Sequence, residues 1–170
     1  MGEIGGEEVA GLRAAIAAGT GMAGWHGGMI DSYRASSDYL QLMGAQFASH
    51  PGKDPAVVPA DDPVRCFVPH AVHMLPAAAA HPITQGIGDF ELVTEQYWVL
   101  CDAYLDVLAT TTQSVRPWDE WSREITSPVI WTRAWGAGRI FVATPGHDAA
   151  TLTHPAVRTV IERGLLWASR

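Results

Sequence analysis

The 170-residue sequence predicts a single layered α/β domain with some antiparallel strands. Three observations carry that reading. Stretches with helical spacing alternate with short apolar or β-branched runs, which sets helices against a sheet. Two apolar runs, Pro128 to Trp135 and Arg139 to Thr144, are joined by Gly136-Ala137-Gly138 and read as a hairpin. Finally, Val157, Val160, Ile161, Leu165 and Trp167 place a terminal helix over Pro155 to Ala168.

The elements follow in order. Glu7 to Ala18 carries Val9, Leu12, Ile16 and Ala17 near helical spacing, with acidic residues at its start and Gly19 at its end. The run TGMAGWHGG reads as a buried strand entering a tight turn. Asp31 or Ser32 is placed to cap the next helix, which continues to Met43 and stops at Gly44. Pro51, Gly52, Pro55 and Pro59 make Phe47 to Asp62 a surface loop. Val64 to Leu75 reads as extended, and Pro69 confines it to an edge or a broken strand. Phe90 to Val93 and Leu105 to Thr111 read as further strands. His154-Pro155 looks like a helix entry, capped by Thr151 or Thr153. No internal repeat or linker is visible.

Composition narrows the function. With 48% apolar and 17% charged residues, the chain can bury a real core. Its net charge of -7 argues against nucleic acid or anionic lipid as partner, and favours a neutral substrate or a cation held among carboxylates. Cys66 and Cys101 have no metal-type spacing and read as two buried thiols in a reducing compartment. No basic segment precedes an apolar run at the start, and no apolar stretch is long enough to span a bilayer. These features predict a cytoplasmic protein without a membrane partner.

Five blocks carry a family resemblance: GTGMAGWHGGMIDSYR, YLQLMGAQFASHP, HPITQGIGDFELVTEQYW, SPVIWTRAWGAGRIFVATPGHD and the terminal RGLLWA. Taken in this order they resemble the ThuA-like, or trehalose-utilisation, family. The resemblance implies a flavodoxin-like three-layer sandwich related to class I glutamine amidotransferases, and a small-molecule sugar as substrate. It begins near Glu7, whereas family members open with an earlier strand, helix and strand. Residues 1 to 170 are therefore expected to form a partial domain, truncated at the N-terminus. Such a chain is expected either to be unstable alone or to cover its open sheet edge by association, for example as a homo-oligomer.

Ligands of open α/β sheets bind beyond the carboxyl ends of the strands. His26 follows the first apparent strand and His147 the last, so both are expected on that rim. Amidotransferases carry a nucleophilic cysteine at the strand-to-helix elbow, but the elbow here reads GWHGG. The resemblance thus implies a retained rim without a thiolate nucleophile, and excludes glutamine hydrolysis. His26, His147 and Glu95 of the EQY block are the predicted acid–base group, acting in an isomerase, lyase or hydrolase step. With His50 of the SHP step, the same residues form a candidate site for a divalent metal such as zinc. Trp25, Gly27, Gly28, Asp31, Tyr97 and Asp148 are the candidate substrate contacts, and Tyr33 is a weaker one. His70, His73, His81 and His154 are assigned to structure, as are Trp131, Trp135 and Trp167. A carbohydrate-binding or scaffold module without chemistry is the competing class.

Overall fold

The computed structural model describes residues Gly2 to Ser169. Its centre is a six-stranded sheet in the order β1-β8-β7-β6-β3-β4. These strands are β1 Met22–Trp25, β3 Phe67–Met74, β4 Phe90–Glu95, β6 Asp106–Gln113, β7 Ile125–Trp135 and β8 Gly138–Ala143. The β1–β8 pair is parallel and the other neighbours are antiparallel. A separate antiparallel pair joins β2 Ala45–Ser49 to β5 Trp98–Cys101. The helices are α1 Gly6–Ala17, α2 Gly27–Ile30, α3 Ser37–Met43, α4 Ala149–Thr153 and α5 Pro155–Ala168.

Two cores make this a three-layer sandwich. Strand β8 is buried on both faces, so it is a continuous apolar run rather than an alternating one. Ile140 and Val142 point into one core, with Val9 and Ile16 of α1 and Leu42 and Met43 of α3. Phe141 and Ala143 point into the other, with Val157, Val160 and Ile161 of α5. The period of two in β8 therefore assigns each helix layer its own face.

The hairpin and the terminal helix lie where their patterns put them, with β7 beginning three residues earlier than its apolar run. On α5 the inner face is Val157, Val160, Ile161, Gly164 and Ala168, while Leu165 is 43% exposed. Gly164 takes the inward position because the Phe141 ring leaves no room for a side chain there.

Several local expectations are corrected. The stretch from Asp31 to Met43 is not one helix. Tyr33 has φ +50, which no helix tolerates, and Asp31 is bound to Arg34 while Ser32 donates to the Gly28 carbonyl. Helix α3 instead starts after Ser36, whose hydroxyl accepts from the Tyr39 N–H, and ends at Gly44 in the left-handed conformation. The first residues of the expected loop belong to β2, and the extended run of β3 starts at Phe67. Around Pro69, β3 pairs with β4 alone, so the missing proline N–H costs no ladder bond. Neither Thr151 nor Thr153 caps α5. Thr151 lies inside α4, where its N–H is held by Asp148. Cys101 is exposed and Cys66 half-buried, so the two thiols are not core residues. Among the described residues, no helix is long and apolar enough to cross a membrane.

Candidate functional site

The site is built at the ends of β1, β4 and β8. His26 is the turn residue between β1 and α2, with φ +56 and ψ -157, a conformation that a non-glycine residue adopts only under strain. Two backbone bonds hold it there. Its N–H donates to the Ala143 carbonyl at 2.8 Å, extending the β1–β8 ladder, and its carbonyl accepts from the Met29 N–H at 3.1 Å. The local shape is that of a nucleophile elbow, with imidazole in the nucleophile's place.

His147 follows β8 after Gly146, whose φ of +144 and tight fit against Trp25 demand glycine. Glu95 ends β4, the strand at the opposite end of the sheet order from β1. The sheet curls far enough to bring the two ends together. His26 Nε2 lies 2.8 Å from Glu95 Oε2, and His147 Nδ1 lies 2.9 Å from the same oxygen. His50, just beyond β2, places Nε2 3.4 Å from it. Three imidazoles thus surround one carboxylate oxygen, and the Glu95 side chain is 13% exposed. The side chains of His26 and His50 are largely buried, whereas that of His147 is 40% exposed and is the open side of the group.

His50 is unusual within the set. Its Nδ1 faces the Gln96 carbonyl at 3.3 Å while its Nε2 faces Glu95. Both partners are acceptors, and a neutral imidazole carries only one N–H. Burial pushes the His50 pKa down, with the Glu95 charge opposing, so the doubly protonated ring is disfavoured. One of its nitrogens therefore faces an oxygen without a proton between them.

The other candidates divide. Tyr97 is 2% exposed and offers no face to a ligand. Its ring packs edge-on against His26 at 5.3 Å and His50 at 4.3 Å, so it lies between the two imidazoles. Burial, helped by the charges of Glu95 and Asp31, holds its hydroxyl pKa well above the usual phenol range, so it stays protonated. Asp31 is engaged by Arg34, and Asp148 spends its carboxylate on the Thr151 N–H at 2.7 Å, which lowers its pKa. Trp25 packs into the second core. At Gly27 an added Cβ would reach the Tyr97 hydroxyl at 3.8 Å, whereas Gly28 faces open space. His73 pairs with Asp89, His70 bonds the Val68 carbonyl, and His154 stacks on Phe90.

Sequence reasoning missed three contacts. Phe67 meets His147 edge-on at 5.2 Å, Phe47 packs against His50 at 4.5 Å, and Arg34 lies over Phe47 at 4.8 Å. Phe67 had one available signal, since a strand register pairing it with Glu95 places it beside the site.

A family model described as trehalose utilisation, ThuA, matches residues 2 to 168. The chain belongs to the ThuA family. Solved structures agree at the level of fold. The chain is similar to a ThuA-like protein from Parabacteroides merdae ATCC 43184, with TM-score 0.72 and 14% identity over 99% of this chain and 67% of that one. A ThuA-like protein from Bacteroides uniformis ATCC 8492 gives TM-score 0.64 and 13% identity, over 96% of this chain and 64% of that one. A cytoplasmic protein of Salmonella typhimurium LT2 gives TM-score 0.59 and 11% identity, over 95% and 60%. This ThuA chain therefore spans about two thirds of the length of the ThuA-like structures it matches. No curated protein matches it.

Proposed function

We propose that this ThuA domain acts on a sugar, trehalose or a related disaccharide or its keto derivative, by acid–base chemistry. The observation that carries the reading is the placement of His26 Nε2 and His147 Nδ1 at 2.8 and 2.9 Å from one oxygen of Glu95. A carboxylate in that position fixes the ring orientation of both histidines, and leaves the second nitrogen of each ring for a substrate proton. His147, the more open of the two, is the group assigned to meet the substrate first. Isomerase, lyase and hydrolase steps on a keto-sugar all need a proton moved beside a carbonyl, and this pair suits each. The elbow carries imidazole rather than a thiol, which argues against glutamine hydrolysis. A binding module without chemistry has no need of convergent histidines, so the convergence supports the enzyme.

The test is turnover of trehalose and keto-disaccharides by the purified protein, followed by NMR. His26→Ala and His147→Ala are each expected to lower the rate by about 10²-fold or more. Unchanged rates in both variants would remove the proposed roles.

A second reading is favoured by His50. The group His26, His50, Glu95 and His147 offers three imidazole nitrogens and a carboxylate oxygen, a donor set suited to zinc. His26, Glu95 and His147 already bring one ligand atom each within 4.8 Å of one another. If the single His50 N–H donates to the Gln96 carbonyl, a divalent cation would also satisfy His50 Nε2 and Glu95. When bound, it would supply Lewis-acid polarisation of a sugar oxygen. Elemental analysis of the purified protein tests this, with about one equivalent per chain expected and its loss in Glu95→Gln. Absence of metal after loading with zinc would reject it.

A further inference from the structure

A cavity of about 390 Å³ lies beside the histidine group, within the roughly 300–1,000 Å³ typical of small-molecule sites. Gln96, the residue after Glu95, forms part of its wall, and none of His26, His50, Glu95 and His147 does. The remaining wall comes from β3, the end of β6 and the segments 53–54 and 114–118. We infer that this cavity is a subsite for a neutral pyranose ring, adjoining the reaction group and reading the part of the sugar that does not react.

Three features point to that ligand class. The first is Gln113, which lines the cavity and is 4% exposed. Neither its amide nitrogen nor its amide oxygen has a hydrogen-bond partner among the described residues. A buried amide without partners costs about 1–3 kcal/mol for each group, and such a cost persists where a ligand completes the bonds. The amide places a donating NH2 and an accepting oxygen on one carbon, which matches a pair of neighbouring sugar hydroxyls. Both atoms are buried in the free protein, and in the proposed complex the glutamine side chain turns to present them to the ligand.

The second is Trp118, 39% exposed on the same wall, an aromatic side chain of the kind that stacks on a pyranose. Arg116 lies over that ring at 5.4 Å and is itself tied to the Asp119 carboxylate and the Pro51 carbonyl, so the platform is held before any ligand arrives. The third is charge. Arg116 is engaged by Asp119, while the charges of Lys53 and Asp54 on the neighbouring segment offset each other, which leaves the cavity no net preference for an anion. His70 on the wall adds a ring whose pKa is lowered by burial and whose Nδ1 is used by the Val68 carbonyl. Its Nε2, with no hydrogen-bond partner among the described residues, can accept a hydrogen bond from a hydroxyl.

This inference rests on the carbohydrate reading above and deepens it. The link between the two sites is one residue, because the Gln96 carbonyl that faces His50 belongs to the residue whose side chain lines the cavity and donates to the carbonyl of Thr112 on the same wall.

The experiment is titration of the purified protein with trehalose and with methyl α-glucoside, read by tryptophan fluorescence. Saturable binding is expected, weakened roughly tenfold by Trp118→Ala and by a similar factor in Gln113→Leu. The urea midpoint of Gln113→Leu should hold or rise, because an apolar isostere removes the unpaired amide; a binding loss is then not a folding loss. No saturable binding of either sugar, or wild-type affinity in both Trp118→Ala and Gln113→Leu, overturns the subsite. Loss of turnover in His26→Ala with an unchanged KM in Trp118→Ala would sink the subsite alone, and the reverse pattern would sink the acid–base reading alone.

Discussion

Replacing Glu95 by glutamine is the most informative single change, because one oxygen of that side chain serves three rings. Glutamine keeps the shape and removes the charge. In the wild type, His26 and His147 each make a charge-assisted contact, at 2.8 and 2.9 Å, with a carboxylate that is 13% exposed. Such bonds contribute about 1.5–3 kcal/mol each, against about 1 kcal/mol for a neutral amide. The difference is about 1 kcal/mol for His26, and less for His147, whose 40% exposure lets solvent screen the pair. A stability loss of about 1–2 kcal/mol follows, measured as a shift in the urea midpoint at constant slope. The loss of rate is expected to be larger, about 10²-fold in kcat with KM little changed, since ring orientation matters most where a proton moves. Glu95→Asp is the matched control: it keeps the charge but withdraws it by about 1.5 Å, one carbon–carbon bond. Both variants should be slow. If Glu95→Gln turned over trehalose or its keto derivatives within about threefold of wild type, while folded, the carboxylate would not orient the histidines during chemistry.

Other changes test the scaffold. His26→Gly should be more stable than His26→Ala by about 1 kcal/mol in chemical denaturation, because only glycine relaxes at φ +56. Gly164→Ala should cost about 1–3 kcal/mol, since its Cβ would fall 2.2 Å from the fully buried Phe141 ring. Burial lowers the pKa of His70 below its unfolded value near 6.5, so its neutral form is the one folding favours. The sign of the linkage follows: its contribution is complete above about pH 6.5 and is lost as pH falls toward the folded pKa. The stability difference between wild type and His70→Gln should therefore shrink in wild type's disfavour on acidification, and a pH-independent difference would contradict the burial argument.

The parts of this molecule that were legible in the sequence are those fixed by local pattern. Helix α5, the β7–β8 hairpin and α1 follow from periodicity and turn residues. His26 and His147 were placed on the rim because each directly follows a strand, and the β1–β8 parallel pair brings those ends together. Glu95 and His50 came from the family blocks, not from spacing. What stayed hidden depends on long-range closure. The β2–β5 pair joins residues about fifty apart through a register that neither short segment announces. The curl that carries Glu95 to His26 is a property of the whole sheet. In the sequence Tyr97 reads as a substrate contact because it stands in the same EQY block as Glu95. Its burial between His26 and His50 became visible only once β2 and β5 closed over it.

The strained turn also constrains the class of chemistry. At a nucleophile elbow, strain presents a short side chain, one atom beyond Cβ, to the substrate. At His26 the same backbone presents a ring long enough to meet a carboxylate from the far end of the sheet order, so the strain is spent on a contact within the protein. A group held in that way suits proton transfer or metal ligation, and is poorly placed for covalent attack. The two alternatives differ in what His50 requires. With two acceptors around one neutral ring, a proton shared at Glu95 or a cation between them removes the mismatch. His50→Gln separates these cases. If acid–base chemistry operates without metal, the variant should keep most of its turnover, because His26 and His147 retain Glu95. If a cation is the organising element, removing one of four ligands should lower zinc affinity by about 10-fold or more and take turnover with it.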